Sequence, residues 1–346
     1  MILLNEDKAR IFLAQNKIAN CEIKKVAGDA SFRSYYRIFF EGKTFILMFA
    51  PPSHEDIHPF IKIDKFLVEN NFSAPKIFAV DEKEGFILLE DFGDESYTKA
   101  LAKALAKSLE KPSTESSTES STKSLAKNNA QELQLYKNAC DALLELHQIS
   151  APSDVEIYNN AVLFREVLLF VDWYLPHVKK IELNLAQKSR FKHLFFELFD
   201  LLNREKQVLV LRDYHADNLM ILSDRKNYKS VGMLDFQDAL IGSRAYDLVS
   251  LLEDARRDVD EKTAAEILKY YIDHGDVDAK TFQLDYEILS LQRNIKIMGI
   301  FARLAVRDSK PHYLNLLPRV EKYVLMRLES QNEVFAQIAQ FLKKFI

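Results

Sequence analysis

Val208-Leu209-Val210-Leu211-Arg212-Asp213-Tyr214-His215-Ala216-Asp217-Asn218-Leu219-Met220-Ile221 is the stretch on which the reading of the fold turns. An apolar strand runs into a polar loop, and a second apolar strand leaves it. Seventeen residues after Asn218 comes Asp235, ending a third apolar run in Leu234-Asp235-Phe236-Gln237-Asp238. The runs Gln207 to Leu211, Leu219 to Leu222 and Val231 to Leu234 read as a small strand cluster whose tips carry Asp213, Asn218 and Asp235. On the plainest reading Asp213 and Asn218 only close a turn, as such residues do in many loops. Phosphoryl transfer asks for more: one carboxylate to take or orient the proton of the attacking hydroxyl, and an amide and a second carboxylate to hold Mg²⁺ on the phosphates. D-x-x-x-x-N followed by D-F has the spacing of a kinase catalytic loop and metal loop.

The surroundings favour the chemical reading. Upstream, a short helix is expected over Asp7 to Lys17, with Ile11, Phe12 and Leu13 on its apolar side. Strand-like runs follow at Cys21 to Val26, Tyr35 to Phe40 and Thr44 to Phe49, the last two joined by the turn Glu41-Gly42-Lys43. Pro59 to Asn70 has helical spacing, and Lys76 to Val80 and Gly85 to Glu90 add two strands. Residues 1–95 therefore read as a small sheet lobe, expected to bind nucleotide. Residues 131–346 read as a larger, mainly helical lobe holding the strand cluster. Its helices are expected at Ala161 to Leu175, Ser189 to Asn203, Asp247 to Arg257, Glu261 to His274, Thr281 to Asp308 and His312 to Phe345. Residues 96–130 connect the two and include Lys111 to Lys123, KPSTESSTESSTK, without one large apolar side chain. Nothing there offsets the entropy of ordering, so a solvated, disordered insertion is the expectation.

Composition narrows the function classes. At 346 residues the chain is long enough for two lobes, and its 48% apolar and 28% charged residues are those of an ordinary globular protein. A net charge of −4 leaves no basic footprint for nucleic acid. Cys21 and Cys140 are too few for a disulfide framework and sit in apolar surroundings, as buried inert thiols do. Met1-Ile2-Leu3-Leu4 lacks the basic start and apolar length of a signal peptide, and Val162 to Leu175 is broken by Arg165, Glu166 and Asp172 before it reaches a membrane span. A cytoplasmic protein without a membrane partner is expected.

On these residues the sequence resembles the aminoglycoside phosphotransferase family, which has the bilobal α+β protein kinase-like fold. The matching stretches are Gly28-Asp29-Ala30-Ser31-Phe32-Arg33-Ser34-Tyr35-Tyr36-Arg37-Ile38, Met48-Phe49-Ala50-Pro51-Pro52, Leu88-Leu89-Glu90-Asp91-Phe92-Gly93-Asp94, Arg212-Asp213-Tyr214-His215, and Asp235-Phe236-Gln237-Asp238-Ala239 through Tyr246-Asp247-Leu248-Val249-Ser250-Leu251-Leu252. Within that family it is similar to bacterial kinases that phosphorylate N-acetylmuramate and N-acetylglucosamine at the anomeric position during peptidoglycan recycling. The resemblance implies an enzyme using ATP and Mg²⁺ on a small amino sugar. It makes Asp213 the catalytic base, Asn218 and Asp235 the magnesium ligands, the stretch holding Asp29, Ser31 and Arg33 the loop over the ATP phosphates, and the backbone from Glu90 to Phe92 the adenine contact. It also makes Asp247 a brace for the catalytic loop, where capping its own helix is the alternative.

The chain departs from the pattern in places. Leu211 stands where family members often carry His, Phe45-Ile46-Leu47-Met48-Phe49 holds no phosphate-binding lysine, and the phosphate loop has the single glycine Gly28. Arg33 or Arg37 is left to supply the missing positive charge. His215 and Asp238 either touch substrate or steady their loops. His147, Phe164, Phe170, Trp173 and Tyr174 read as core, with one aromatic left as a candidate sugar wall. A protein kinase is disfavoured because His215 and Gln237 replace its Lys and Gly, and no Ala-Pro-Glu occurs. Other small acceptors, aminoglycoside- or choline-like, and a catalytically idle nucleotide-binding scaffold remain as alternatives.

Overall fold

Asn5 starts the first helix by accepting the Lys8 amide on its side chain at 3.1 Å, one of the orphan donors every helix N-terminus leaves. This helix, α1 (Glu6–Gln15), buries Ala9, Phe12 and Leu13, while Ile11, expected on the apolar side, is 59% exposed. The computed structural model describes residues 4–26, 32–109 and 118–346, and these cluster into two compact units. Its first unit comprises Met1–Glu115 and Asp217–Ala239, and its second Ser116–Ala216 and Leu240–Ile346.

The first unit is built on a five-stranded antiparallel sheet, β1 (Glu22–Lys25), β2 (Ser34–Phe40), β3 (Lys43–Phe49), β4 (Ile77–Asp81) and β5 (Phe86–Glu90), in the order β1-β2-β3-β5-β4. Strand side chains alternate between faces. Tyr36, Ile38, Leu47, Phe49, Phe86 and Leu88 therefore share one face and pack with Phe12 and Leu13 of α1. Arg37 lies on the opposite face. Helix α2 (His58–Glu69) buries Phe60, Ile63 and Leu67 as its spacing requires. The chain then runs into α3 (Tyr97–Leu109), so the segment expected to be a disordered insertion is helical there. The next helix, α4 (Thr118–Leu146), likewise begins within the expected insertion, while 110–117 lie outside the described residues.

A hairpin of Leu219–Ile221 with Val231–Met233 completes this unit. It is stitched to the rest by bridges from Ser96 to Met220 and from Ser73 to Gly232, and by Met233 N–H donating to Ser73 O at 2.8 Å. Gly232 is needed at that seam, because a Cβ there would stand 2.9 Å from the Phe92 ring and 3.0 Å from Met220 Cβ.

The second unit is mainly helical: α4, α5 (Asn160–Leu169), α6 (Leu185–Phe199), α7 (Ala245–Leu252), α8 (Glu261–His274), α9 (Ala279–Val306), α10 (Leu317–Leu328) and α11 (Ala336–Leu342). α5 passes into a π-helical segment, Phe170–Lys179, holding Pro176, and α9 packs along both. Gly299 makes that approach feasible, since a Cβ on it would lie 2.2 Å from the Leu169 carbonyl carbon. The single long C-terminal helix expected over His312 to Phe345 is instead two helices, interrupted where Asn332 accepts the Val334 amide and starts a new turn. The expected strand cluster also divides. Gln207–Val210 pairs with Leu240–Ser243 in the second unit, and the other two strands form the hairpin of the first. Leu240–Ser243 had no strand signature, and strands of three or four residues choose partners by tertiary packing. No helix of the described residues is long and apolar enough to cross a membrane.

Candidate active site

Asp213 sits at the tip of the loop leaving Gln207–Val210, in the second unit. Asp247 holds that loop. Its two carboxylate oxygens accept the amides of Leu211 at 2.7 Å and Arg212 at 2.8 Å. α7 takes no side-chain cap, so bracing rather than capping is what Asp247 does. Burial pushes its carboxyl up to about 7, opposed by those two amides, which favour the charged acceptor. The brace permits Arg212 a left-handed backbone, φ 71°, which costs a side-chain-bearing residue of order ~1 kcal/mol.

Four groups converge beneath this loop on Glu166 of α5. Arg212 and Lys296 of α9 reach Oε1, the latter at 2.9 Å, while Tyr158 and Gln292 donate to Oε2, the latter at 3.0 Å. Lys296 also reaches the Tyr246 hydroxyl at 3.2 Å. Asp213 is half-buried, and its desolvation by itself would raise its pKa. Lys296, Arg293 and Arg212 outweigh that desolvation and hold it below the usual carboxylate range. His215 takes the Arg256 guanidinium on Nε2 at 2.9 Å. Arginine has no acceptor, so this imidazole is neutral with its proton on Nδ1, and burial together with Arg256 pushes its pKa down to about 3.

Asn218 and Asp235 belong to the first unit, at neighbouring ends of the hairpin, where Leu234 N–H donates to Asn218 O at 3.0 Å. Asp235 has a left-handed backbone, φ 60°. Its two oxygens accept from Gln237 Nε2 at 2.8 Å and from Asn218 Nδ2 at 3.5 Å. Phe236 turns away and stacks on Phe60 of α2 at 5.2 Å, which anchors the loop. Arg33 joins the same cluster. Burial works against its charge, but Tyr35, Asp235, Glu55 and Asp238 together raise its pKa, and Glu55 pairs with it at 3.7 Å. Arg37 is committed elsewhere, to Asp91 at 2.7 Å and Asp94 at 2.8 Å. Of the two arginines, Arg33 is the one beside Asp235.

The other expected residues fall as follows. Glu90 ends β5, its amide donating to Lys76 O at 2.9 Å and its carboxylate pairing with Arg225. Arg225 also lies over the Phe92 ring at 5.2 Å. Asp29 and Ser31 lie outside the described residues. His147 is core, bonded to the Tyr271 hydroxyl at 2.6 Å. Both thiols are buried. Tyr174 and Phe170 stack inside the helical unit, and Trp173 stacks on His177. Sequence reasoning passed over Glu166, Arg293 and Lys296. For Arg293 and Lys296 the one signal was Gln292-Arg293-Asn294-Ile295-Lys296, a polar run inside a largely buried helix.

Asn218 and Asp235 offer hard oxygen donors, and among the described residues no cluster of three or more His, Cys, Asp or Glu side chains could cage a metal. An amide oxygen and a carboxylate are donor types that suit Mg²⁺, which is commonly held by one or two carboxylates plus phosphates and water.

Comparison with known proteins gives the family of the chain. Residues 22–280 match the family model described as "Phosphotransferase enzyme family". The chain is 30% identical to an N-acetylmuramate/N-acetylglucosamine kinase of Pseudomonas aeruginosa, over 96% of this chain and 91% of that protein. It is 31% identical to the protein of the same name from Pseudomonas putida, over 86% and 81% respectively. Among solved structures, a spectinomycin phosphotransferase in complex with ADP and spectinomycin superposes with a TM-score of 0.55 at 13% identity, covering 98% of both chains.

Proposed function

Because the chain belongs to the phosphotransferase enzyme family, we propose that it moves the γ-phosphoryl group of ATP to the anomeric hydroxyl of N-acetylmuramate or N-acetylglucosamine. The sugar assignment is drawn from the relatives' names. The observation that supports the chemistry is the setting of Asp213, a half-buried carboxylate at a loop tip whose pKa is held low by surrounding cations.

Asp213 orients the sugar hydroxyl and receives its proton as the new O–P bond forms and the bond to the ADP oxygen breaks. A carboxylate held below its ordinary pKa is a weak proton acceptor. Its contribution is therefore mostly alignment, which suits a loose transition state in which the nucleophile deprotonates late. Asn218 and Asp235 would hold Mg²⁺, whose charge neutralises the phosphate oxygens. Arg33 stands in for the absent strand lysine: it is next to Asp235, whereas Arg37 is tied to Asp91 and Asp94. Asp29 and Ser31 are assigned to the same phosphate loop. The carbonyl of Glu90 and the backbone of Phe92 are assigned to adenine, since the Glu90 amide already serves the sheet. This places the enzyme in the cytoplasm, where ATP and salvaged cell-wall sugars meet.

ADP release by the purified protein with Mg-ATP should be driven by N-acetylmuramate and N-acetylglucosamine and should yield a sugar 1-phosphate. Release driven instead by choline or an aminoglycoside would transfer the assignment to that acceptor.

A further inference from the structure

Helix α9 contains an anomaly. Gln292, Arg293, Asn294 and Lys296 are all buried, in a helix whose other buried positions are mostly apolar, Asp285 and Ser290 excepted. Burying charge is costly unless each group is paired, and apolar residues of similar volume often serve stability equally well. Each of the four has an identifiable partner. Gln292 and Lys296 reach Glu166, Arg293 donates to Ser250 at 2.8 Å, and Asn294 donates to Glu253 at 2.7 Å. Two of them, Arg293 and Lys296, are one helical turn apart and act on the same carboxylate, Asp213.

We propose that Lys296 and Glu166 are positioning residues of the phosphoryl-transfer site, an opposed pair that sets the charge and the placement of Asp213 without touching substrate. The geometry gives the pair its leverage. Glu166 binds both Lys296 and the Arg212 side chain, and Arg212 is the residue immediately before Asp213. Lys296 is thus tied through one carboxylate to the loop whose backbone Asp247 grips from α7. Lys296 attracts Asp213 into the charged state, and Glu166 tempers that attraction by sharing the cation. The other groups facing Asp213 are Arg293 of α9, Arg212 and His215 of its own loop, and Asp247 of α7. Asp247 opposes ionisation and the arginines favour it, so the Lys296–Glu166 pair is the adjustable element in an otherwise fixed set.

The inference rests on Asp213 being the proton acceptor, and its test separates the two claims. In the full-length protein the Asp213 carboxyl is titrated by ¹³C NMR, identified by difference from Asp213→Asn, alongside the pH profile of sugar-dependent ADP release. Lys296→Met should raise the Asp213 pKa and move the acid limb of kcat/KM upward by about one pH unit or more. Lys296→Arg should restore the original limb. Glu166→Gln should move both readouts the opposite way, to lower pH, because it frees Lys296 and Arg212 to act on Asp213 unshared. A merely structural pair lowers activity or melting temperature equally at every pH and leaves the carboxyl titration in place. That result, or shifts of the same sign in both variants, overturns the proposal. Opposite NMR shifts with no sugar-dependent turnover in the wild type would support the pair and remove the sugar assignment instead.

Discussion

The loop bearing Asp213 and the hairpin bearing Asn218 and Asp235 solve opposite electrostatic problems. Around Asp213 the balance is cationic: Lys296, Arg293 and Arg212 bear on one half-buried carboxylate. Around Asp235 the balance is anionic, with Asp238 and Glu55 nearby and Arg33 among them. In the proposed reaction the first arrangement keeps a half-buried carboxylate charged, ready to hold a hydroxyl proton. In the same proposal the second holds carboxylate charge in place for a cation that would arrive with the nucleotide. Two carboxylates in one enzyme thus receive different roles from their neighbours rather than from their own chemistry.

The largest effect that sharpens this contrast is expected from paired isosteric changes. Asp213→Asn should lower kcat by about 10³–10⁴-fold, and extra magnesium should not restore it. Asp235→Asn should lower turnover less, about 10²–10³-fold, and raise the magnesium concentration needed for half-maximal rate. Identical magnesium titrations for the two variants would erase the distinction. Both should keep the wild-type circular dichroism spectrum.

A smaller effect belongs to the hairpin alone. Gly232→Ala places a methyl against Phe92 and Met220, costing roughly 1–3 kcal/mol in denaturant unfolding. Turnover should fall with it, since the hairpin ends carry both proposed magnesium ligands. Unchanged stability would mean that the Phe92 seam is looser than its distances imply.

An effect that is absent at neutral pH and grows on acidification belongs to the helical unit. His147 and His215 are buried and neutral, each with its pKa pushed down to about 3 by burial, aided by Arg244 and Arg256 respectively. An unfolded histidine titrates near ~6.5, so between there and about 3 the unfolded chain binds more protons than the folded one. Stability is therefore complete above about pH 6.5 and declines on acidification, by up to ~1.4 kcal/mol per pH unit for each histidine. His147→Gln should reduce the slope of unfolding free energy against pH by about one proton. A slope unchanged by that substitution would show that His147 is already charged in the fold.

Much of the site was legible because its chemistry is local in sequence. Asp213 and Asn218 share one loop, Asp235 ends a short apolar run, and the Phe60-Ile63-Leu67 spacing of α2 announced its buried face. What was illegible depends on long-range pairing. Leu240–Ser243 looked like a loop until Gln207–Val210 supplied its partner. Which of Arg33 and Arg37 interacts with Asp235 could not be read from a stretch in which both are arginines on or beside one strand. The Ala-Leu-Ala-Lys repeats before the serine-rich tract had helical composition, yet were read with that tract as one disordered insertion; α3 shows that their own propensity prevails.

By itself the sequence determined the reaction class, because D-x-x-x-x-N and D-F put a carboxylate, an amide and a second carboxylate on strand-flanked loops. It also determined the order of a sheet-rich and a helix-rich region, through hydrophobic periodicities of two and three to four. Only the tertiary structure decided that Asp247 braces the loop rather than caps its helix. It alone brought Glu166 and Lys296 beneath Asp213 from two other helices. Those outcomes depend on burial and on charges brought together from distant positions in the chain, and a linear pattern does not specify the distance over which a Coulomb interaction acts.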